Sequence, residues 1–203
     1  MKNKGPIREQ FFARLGQTSP SPLGIEIQKA EGVFLHSPSG KRYIDLISGV
    51  SVSNVGHARP EVIQAIEEQA RNHLHLMVYG EVIQSPQVHL AGLLTDNLPA
   101  TLNSVYFVNS GSEANEAALK LAKRITGRGK IACFRNAYHG STHGALSVMG
   151  NETFRRSFRP LLPNITALRS NCLQDLELID RHTACVIVEP VQAEAGVRLP
   201  AEG

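Results

Sequence analysis

The chain has 203 residues, 42% of them hydrophobic, which is enough for one large domain or for one domain with a small lobe. Its 21 Lys and Arg residues nearly balance 18 Asp and Glu residues, giving a formal net charge of +3. This balance argues against nucleic acid or a membrane surface as a partner. No stretch approaches the roughly 20 apolar residues of a membrane span, and no apolar signal-peptide core follows residues 1–6, so we predict a cytoplasmic protein.

The three cysteines lie far apart, at Cys133, Cys172 and Cys185. Two of them fall within apolar runs. Metal sites and redox motifs use closely spaced pairs of cysteines, which this chain lacks. We therefore predict buried, reduced thiols and no metal site.

Residues 1–56 are predicted to form an N-terminal segment with a small β lobe. A short helix is expected over 9–15, before a turn-rich connector. Two strands are predicted over 32–36 and 42–46. Between them lies Ser37-Pro38-Ser39-Gly40-Lys41, whose proline and glycine suit the turn of a hairpin.

Residues 57–203 are predicted to form the first part of a larger α/β domain. Two helices come first, over 60–74 and 85–97, each with a proline in its first turn. Short apolar runs then alternate with helical patterns: strands are predicted over 104–108, 130–134, 164–168 and 184–188, and helices over 112–126 and 173–180. Such alternation is typical of a mostly parallel sheet with helices on both faces.

The helix over 112–126 has the clearest pattern in the chain. Its apolar residues form one stripe, and Gly127 stands where a helix ends. Glu116 and Lys120 are spaced as an i,i+4 ion pair on its surface.

The start of this helix has two interpretations. Ser110 and Glu113 fit a capping box, in which each side chain satisfies a backbone amide of the first turn. Alternatively, Gly111 and Ser112 offer unpaired amides at the positive end of the helix dipole, where a phosphate gains hydrogen bonds and charge complementarity. A short glycine motif does not choose between them, and both can hold at once.

Three polar loops are predicted to meet at one edge of the sheet. They cover residues 109–112, 136–141 and 189–194, each after a predicted strand, and ligands of parallel sheets bind outside the carboxyl ends of the strands. Taken singly, Tyr138, His139 and Glu189 also fit ordinary structural roles. Together the loops would supply a phosphate cradle, an aromatic face and carboxylates, as a phosphorylated aromatic cofactor needs.

In these motifs the chain resembles the class III pyridoxal-phosphate aminotransferases of fold type I, a family that includes acetylornithine, ornithine and 4-aminobutyrate aminotransferases. The resemblance covers most of the chain from about Gly32. It rests on four motifs in order: Gly56-His57-x-x-Pro60, Phe107-Val108-Asn109-Ser110-Gly111-Ser112-Glu113-Ala114-Asn115, Tyr138-His139-Gly140 and Glu189-Pro190-Val191-Gln192-x-Glu194.

The resemblance implies the roles of the site residues. Gly111 and Ser112 would bind the phosphate of pyridoxal 5'-phosphate, and Tyr138 would stack on its ring, with His139 beside it. Glu189 would lie near the phenolic side of the ring. Glu194 would line the substrate entrance, where relatives sort amino donors from keto acceptors.

Two departures from the family pattern bear on the substrate. Relatives that act on ornithine-type substrates carry an arginine directly after the aromatic-His-Gly triplet, where it pairs with the substrate carboxylate. This chain has Ser141 there, which cannot supply a charged bidentate fork. The usual Gln-Gly-Glu also becomes Gln192-Ala193-Glu194.

The resemblance further implies transamination of an amino acid or ω-amine to a keto acid, by a homodimer. The lysine that holds the cofactor covalently lies downstream of the last motif in the family, and none of the lysines here matches it. We therefore expect no catalytic residue in this chain and a fold that is incomplete at the C-terminus, inactive alone. Open alternatives are an aminomutase or decarboxylase of the same fold, and a non-catalytic module that binds a phosphorylated ligand.

Overall fold

The computed structural model describes residues 6–77 and 80–201. The chain divides into two compact units, Met1–Gln84 and Ser85–Gly203. Compact units of this kind are not by themselves independently folding domains. The predicted division into residues 1–56 and 57–203 therefore stays a prediction.

The first unit contains a small antiparallel sheet. Its strands are β1 (Lys29–Glu31), β2 (Phe34–His36) and β3 (Arg42–Ile44), and β2 lies in the middle. The hairpin of β2 and β3 confirms the predicted β lobe, and Gly40 in its turn has the positive φ of 82° that glycine allows. The edge strand β1 was not predicted, because Lys29-Ala30-Glu31 contains no β-branched or aromatic residue.

The described part of the first unit also contains two α-helices and one short left-handed turn. They are α1 (Ile7–Arg14), the short left-handed turn α2 (Ser48–Ser51) and α3 (Pro60–Asn72). Proline at the first position starts α3, since the missing N–H would have no partner there. The cap at His73 returns the chain to an extended backbone, two residues before the predicted end.

The second unit contains a parallel sheet. Its strands are β4 (Lys130–Phe134), β5 (Ile165–Leu168) and β6 (Thr183–Ile187), in the order β5-β4-β6. Ile131 pairs with Ile165 on one side and with Cys185 on the other. This arrangement confirms the predicted α/β class and three of the four predicted strands.

In its described residues, the second unit also contains four α-helices and two 3-10 segments. They are α4 (Ser85–Asp96), α5 (Gly111–Thr126), α6 (His143–Ser147) and α7 (Glu152–Arg155), with 3-10 segments at Arg156–Phe158 and Leu173–Leu178. The core cluster lies where α5 and the residue after α6 meet the sheet. It consists of Leu119, Ile131, Cys133 and Val148, packed against Ile165, Cys185 and Ile187.

Two predicted elements of this unit are wrong. Residues 104–108 form no strand, because a strand needs a ladder partner and none pairs with them in the described chain. Tyr106 is accordingly 80% exposed. The predicted helix over 173–180 is a 3-10 segment that ends at Leu178, where the chain returns to an extended backbone.

The cysteines are free, as predicted, but only one is buried. Cys133 lies inside the sheet, where burial raises the pKa of its thiol to about 11. Cys172 and Cys185 are partly exposed, the first in a loop and the second on a strand at the edge of the described sheet. The prediction of buried thiols is therefore wrong for these two.

Across residues 6–77 and 80–201, none of the helices has the length and apolar character needed to cross a lipid bilayer. Within the same residues, no three His, Cys, Asp or Glu side chains come together as metal ligands.

Candidate functional site

The first turn of α5 leaves two adjacent backbone amides unpaired. The Ser110 hydroxyl accepts from the Glu113 amide at 3.2 Å, and the Ser110 carbonyl accepts from the Ala114 amide at 3.0 Å. In the described residues, the amides of Gly111 and Ser112 have no acceptor. The two interpretations of the junction are therefore compatible, because the cap starts the helix and still leaves these two amides without an acceptor in the described part of the chain.

Glu113 also contributes to the cap, but it binds the backbone amide one residue before the one that a capping box uses. Its carboxylate accepts from the Asn109 amide at 2.7 Å rather than from the amide of Ser110. The effect is the same, because the carboxylate ties the chain before the cap to the first helical turn. A negative charge in the first turn also complements the helix dipole.

The loop after β4 lies directly on this first turn. The Ser141 amide donates to the Ser112 hydroxyl at 3.3 Å. Gly140, with φ of 118°, allows this approach, since a Cβ there would lie 2.1 Å from Ser112 Oγ. The hydroxyl proton of Ser112 is left free to donate to a bound anion.

One face of α5 holds the whole loop. Ser112, Asn115 and Glu116 are spaced i, i+3 and i+4, so their side chains project from the same side of the helix. The Asn115 side-chain amide donates to the His139 carbonyl at 2.7 Å. Glu116 Oε1 accepts from the Gly144 amide at 2.7 Å and from the Ala145 amide at 3.0 Å.

Glu116 therefore caps the neighbouring helix α6 instead of pairing with Lys120, and the predicted i,i+4 pair is wrong. No ion pair joins the two side chains in the described chain. Burial opposes the charged form of Glu116, but hydrogen bonds from the Thr142 hydroxyl and the two α6 amides outweigh it, so its pKa lies below the ordinary value. A capping carboxylate gains more from charged hydrogen bonds than from an exposed lysine.

Tyr138 presents a ring face beside the predicted phosphate cradle, which is formed by Gly111 and Ser112. The residue is 38% exposed, and its ring meets the ring of Phe154 edge to face, with centroids 6.2 Å apart. The Tyr138 hydroxyl lies 3.4 Å from Ser141 Oγ. Its backbone amide donates to Glu189 Oε2 at 2.9 Å, which joins the loop after β4 to the loop after β6.

His139 is buried, whereas the other predicted site residues are at least partly exposed to solvent. Its side chain is 6% exposed, and its Nε2 has no hydrogen-bond partner in the described chain. Burial lowers its pKa, and the opposing attraction of Glu189 is too weak to restore it. The ring is therefore neutral at pH 7.

The buried His139 predicts that the chain loses stability in mild acid. Because the folded-state pKa is below 6.5, the unfolded chain binds the extra proton as the pH falls from 6.5 to that lower value. We expect a loss of up to about 1.4 kcal/mol per pH unit in this window, and His139→Gln should remove it. Urea unfolding between pH 7.5 and 5 measures the slope.

The exposed His89 of α4 supplies the control for that measurement. His89→Gln should keep the slope of the unsubstituted chain. An equal slope in His139→Gln would show that other groups cause the acid sensitivity.

The loop after β6 forms a short hairpin beside Tyr138. Gln192 and Arg198 exchange backbone hydrogen bonds of 3.0 and 3.1 Å, and the Gln192 side chain donates to the Arg135 carbonyl at 3.0 Å. Glu194 and Arg198 from this hairpin line a cavity of about 230 Å³. The other residues lining it are Asn136, Ala137, Tyr138, Asn151, Phe154 and Ala195.

The structure thus brings most of the predicted site residues together. Ser112 contacts Ser141, Ser141 contacts Tyr138, and Tyr138 contacts Glu189. Glu194 lines the same cavity as Tyr138. His139 is packed inward behind this group. Their roles toward a cofactor stay predictions.

Sequence reasoning missed three contributors to the site. Asn115 and Glu116 hold the loop from α5, and Arg198 lines the cavity. The spacing of Asn115 and Glu116 from Ser112 was a usable signal for a shared helix face. No sequence signal indicated Arg198, because it lies beyond the last motif.

These features define an α/β protein in which a helix N-terminus and an aromatic face meet at the carboxyl edge of a parallel sheet. The family model of aminotransferase class-III matches residues 16–203. The chain therefore belongs to the class III aminotransferases, and the resemblance seen in the motifs is confirmed.

Known relatives agree with this assignment. Acetylornithine aminotransferase of Methanopyrus kandleri is 41% identical over 186 residues, which are 90% of this chain and 47% of that protein. The chain thus spans about half the length of the curated relatives it matches.

Solved structures confirm the predicted fold. Adenosylmethionine-8-amino-7-oxononanoate aminotransferase of Methanocaldococcus jannaschii matches with a TM-score of 0.87 and 29% identity, over 96% of this chain and 49% of that one. Taurine:2-oxoglutarate aminotransferase of Bifidobacterium kashiwanohense, solved in complex with PLP and glutamate, matches with a TM-score of 0.78 and 25% identity, over 91% and 47%.

Proposed function

We propose that this chain carries the phosphate-binding and ring-binding part of a pyridoxal 5'-phosphate site, in an aminotransferase that moves an amino group from an amino acid or ω-amine to a keto acid. The observation that carries the proposal is the contact between the first turn of α5 and the loop that presents Tyr138. This contact sets an anion-binding terminus and an aromatic face side by side.

The residues present fit the cofactor. The amides of Gly111 and Ser112 and the Ser112 hydroxyl provide three donors for a phosphate at the positive end of a 16-residue helix. The partly exposed ring of Tyr138 offers a flat surface for a heterocycle. Ser141 contacts both Ser112 and Tyr138 and so connects the phosphate-binding donors to the aromatic ring.

When bound, pyridoxal 5'-phosphate supplies an electron sink that stabilises negative charge on the substrate carbon beside the amine. The residues of the protein bind the cofactor and orient it. Glu189 holds the Tyr138 backbone by its Oε2 at this edge of the sheet. His139, neutral and buried, adds no positive charge beside the ring. Glu116 holds the segment after Ser141 in place through α6.

The partners follow from the family and its named members. An amino acid or ω-amine as donor and a keto acid as acceptor suit relatives such as acetylornithine aminotransferase. Glu194, on the cavity beside Tyr138, is suited to attract the donor's ammonium group. We further propose a cytoplasmic homodimer as the working form.

The test is binding of pyridoxamine 5'-phosphate, which cannot form an imine with surface lysines. At a concentration 100 times its Kd, a ligand specific for the folded chain stabilises it by about 2.7 kcal/mol. We expect a saturable rise in melting temperature with this compound and none with pyridoxamine, which lacks the phosphate. Equal shifts with the two compounds, or no shift, would contradict the proposal.

A charge substitution in the cradle sharpens this test. Ser112→Asp places a carboxylate where the phosphate should bind, so the shift should disappear. Ser157→Asp adds the same charge at an exposed position of the same unit and should leave the shift intact. A shift that survives in Ser112→Asp would place the phosphate elsewhere.

A further inference from the structure

The cavity beside Tyr138 has a cation at a position where no motif predicts one. Ser141 stands where ornithine-type relatives carry the arginine that pairs with the substrate carboxylate. Arg198, 57 residues later in the chain, lines the cavity together with Tyr138 and Glu194. Building on the proposed function, we propose that Arg198 binds the carboxylate of an amino-acid substrate in this protein.

Arg198 is held in place by the hairpin that carries it. Its backbone exchanges two hydrogen bonds with Gln192, and the buried Gln192 side chain is tied to the Arg135 carbonyl at the end of β4. Its Nε donates to the Ala195 carbonyl at 3.0 Å, which fixes the base of the guanidinium group. The planar group is therefore presented from the sheet edge by a fixed loop.

The two terminal nitrogens of Arg198 are available to a ligand. In the described residues they take part in no ion pair, and Glu194 on the same cavity lies beyond the 4.0 Å of a salt bridge. Two parallel N–H donors match the two oxygens of a carboxylate. Glu194 can attract an ammonium group at the same time.

Three other basic side chains of this unit have polar partners. Arg155 and Arg159, close to Phe154, both pair with Glu152, at 3.3 and 2.8 Å. His143, two residues after Ser141, lies 3.1 Å by its Nε2 from the Pro160 carbonyl. Among the described residues that line the cavity, Arg198 is the cation.

The cavity is also within reach of a molecule bound at the cradle. Ser141 contacts Ser112 on one side and the Tyr138 hydroxyl on the other, and Tyr138 lines the cavity. With a volume of about 230 Å³, the cavity suits the side chain of a small amino acid, and its Tyr138 and Phe154 wall suits an aliphatic stem.

The experiment uses stable conjugates in which the cofactor is joined to an amine by a reduced bond. N-phosphopyridoxyl-L-glutamate carries carboxylates, and N-phosphopyridoxyl-propylamine carries none. Calorimetric titration of the full chain should give about tenfold tighter binding of the glutamate conjugate, the effect of one charge-assisted contact at a partly exposed site. Arg198→Gln should erase that preference and leave the propylamine conjugate unchanged.

Two further variants control for charge and geometry. Arg181→Gln removes the same charge at the amino end of β6, so the preference should remain. Arg198→Lys keeps a charge without the fork, and we expect it to restore part of the preference.

The outcomes separate this inference from the proposed function. In one outcome the propylamine conjugate binds and the unsubstituted chain shows no preference for the glutamate conjugate; in another, it binds and Arg198→Gln retains that preference. In either case Arg198 does not bind the substrate carboxylate, and the cofactor site stands. If neither conjugate binds, the cofactor site fails and the inference fails with it.

Discussion

Replacing Gly140 by alanine should destabilise the chain by about 3 kcal/mol and weaken binding of pyridoxamine 5'-phosphate at least tenfold. The φ of 118° is strained for any residue with a side chain, and the new Cβ would lie 2.1 Å from Ser112 Oγ and 2.9 Å from Ser112 Cα. Because Cα belongs to the backbone of α5, the loop must move away. Urea unfolding and calorimetric titration measure the two effects.

Gly127 provides the matched control for this substitution. It also has a positive φ, 66°, but a Cβ there would meet no heavy atom within 4 Å. Gly127→Ala should therefore cost only the conformational penalty, about 1 kcal/mol, and leave ligand binding unchanged. Similar losses of stability in the two variants would show that the contact with Ser112 is unimportant.

Replacing Glu116 by alanine should cost about 2 kcal/mol, because α6 would lose the acceptor for two of its first amides in a partly buried setting. Glu116→Gln keeps an acceptor but not the charge and should lose about half as much. Since α6 begins two residues after Ser141, we also expect weaker binding at the cradle. Chemical denaturation of the three proteins at pH 7 gives the comparison.

Acid titration supplies a second readout for Glu116. Its folded-state pKa lies below the ordinary 4.5, so its contribution is present above that value and is lost as the pH falls through the lower pKa. Glu116→Gln should lack this share of the acid sensitivity. Glu68→Ala on the exposed surface of α3 is the control and should change neither quantity. Unchanged stability in Glu116→Ala would contradict the capping role.

Together, Gly140 and Glu116 show that the loop after β4 is held in place by one helix. Ser112, Asn115 and Glu116 of α5 hold residues 139–145 by four hydrogen bonds. At Gly140 the loop lies so near the helix that a Cβ would be 2.9 Å from Ser112 Cα. Helix α5 therefore both offers the unpaired amides of its first turn and positions Tyr138 near them.

Much of this protein could be predicted from local patterns. The hairpin around Gly40, the start of α3 at Pro60, the cap at Ser110 and the end of α5 at Gly127 all lie where turn and cap chemistry indicated. Such signals act over three or four residues, so the sequence contains them in full. The four motifs in order likewise identified the family.

Failures came where structure depends on distant residues. The apolar run at 104–108 has the composition of a strand, but pairing requires a neighbour that the local sequence does not contain. Glu116 had two candidate partners, a lysine four residues away and the amides of α6 28 and 29 residues away. The stronger, charge-assisted contact prevailed, and only folding brings it into reach.

The amino-acid sequence alone determined the α/β class, the capped helix at Ser110 and the three polar loops, because each depends on neighbours in the chain. The tertiary structure decided which groups meet: Ser141 on Ser112, Glu189 on Tyr138, and Arg198 on the cavity beside Tyr138. These contacts join residues 29 to 60 positions apart, and their geometry follows from the order of the strands and the close approach at Gly140.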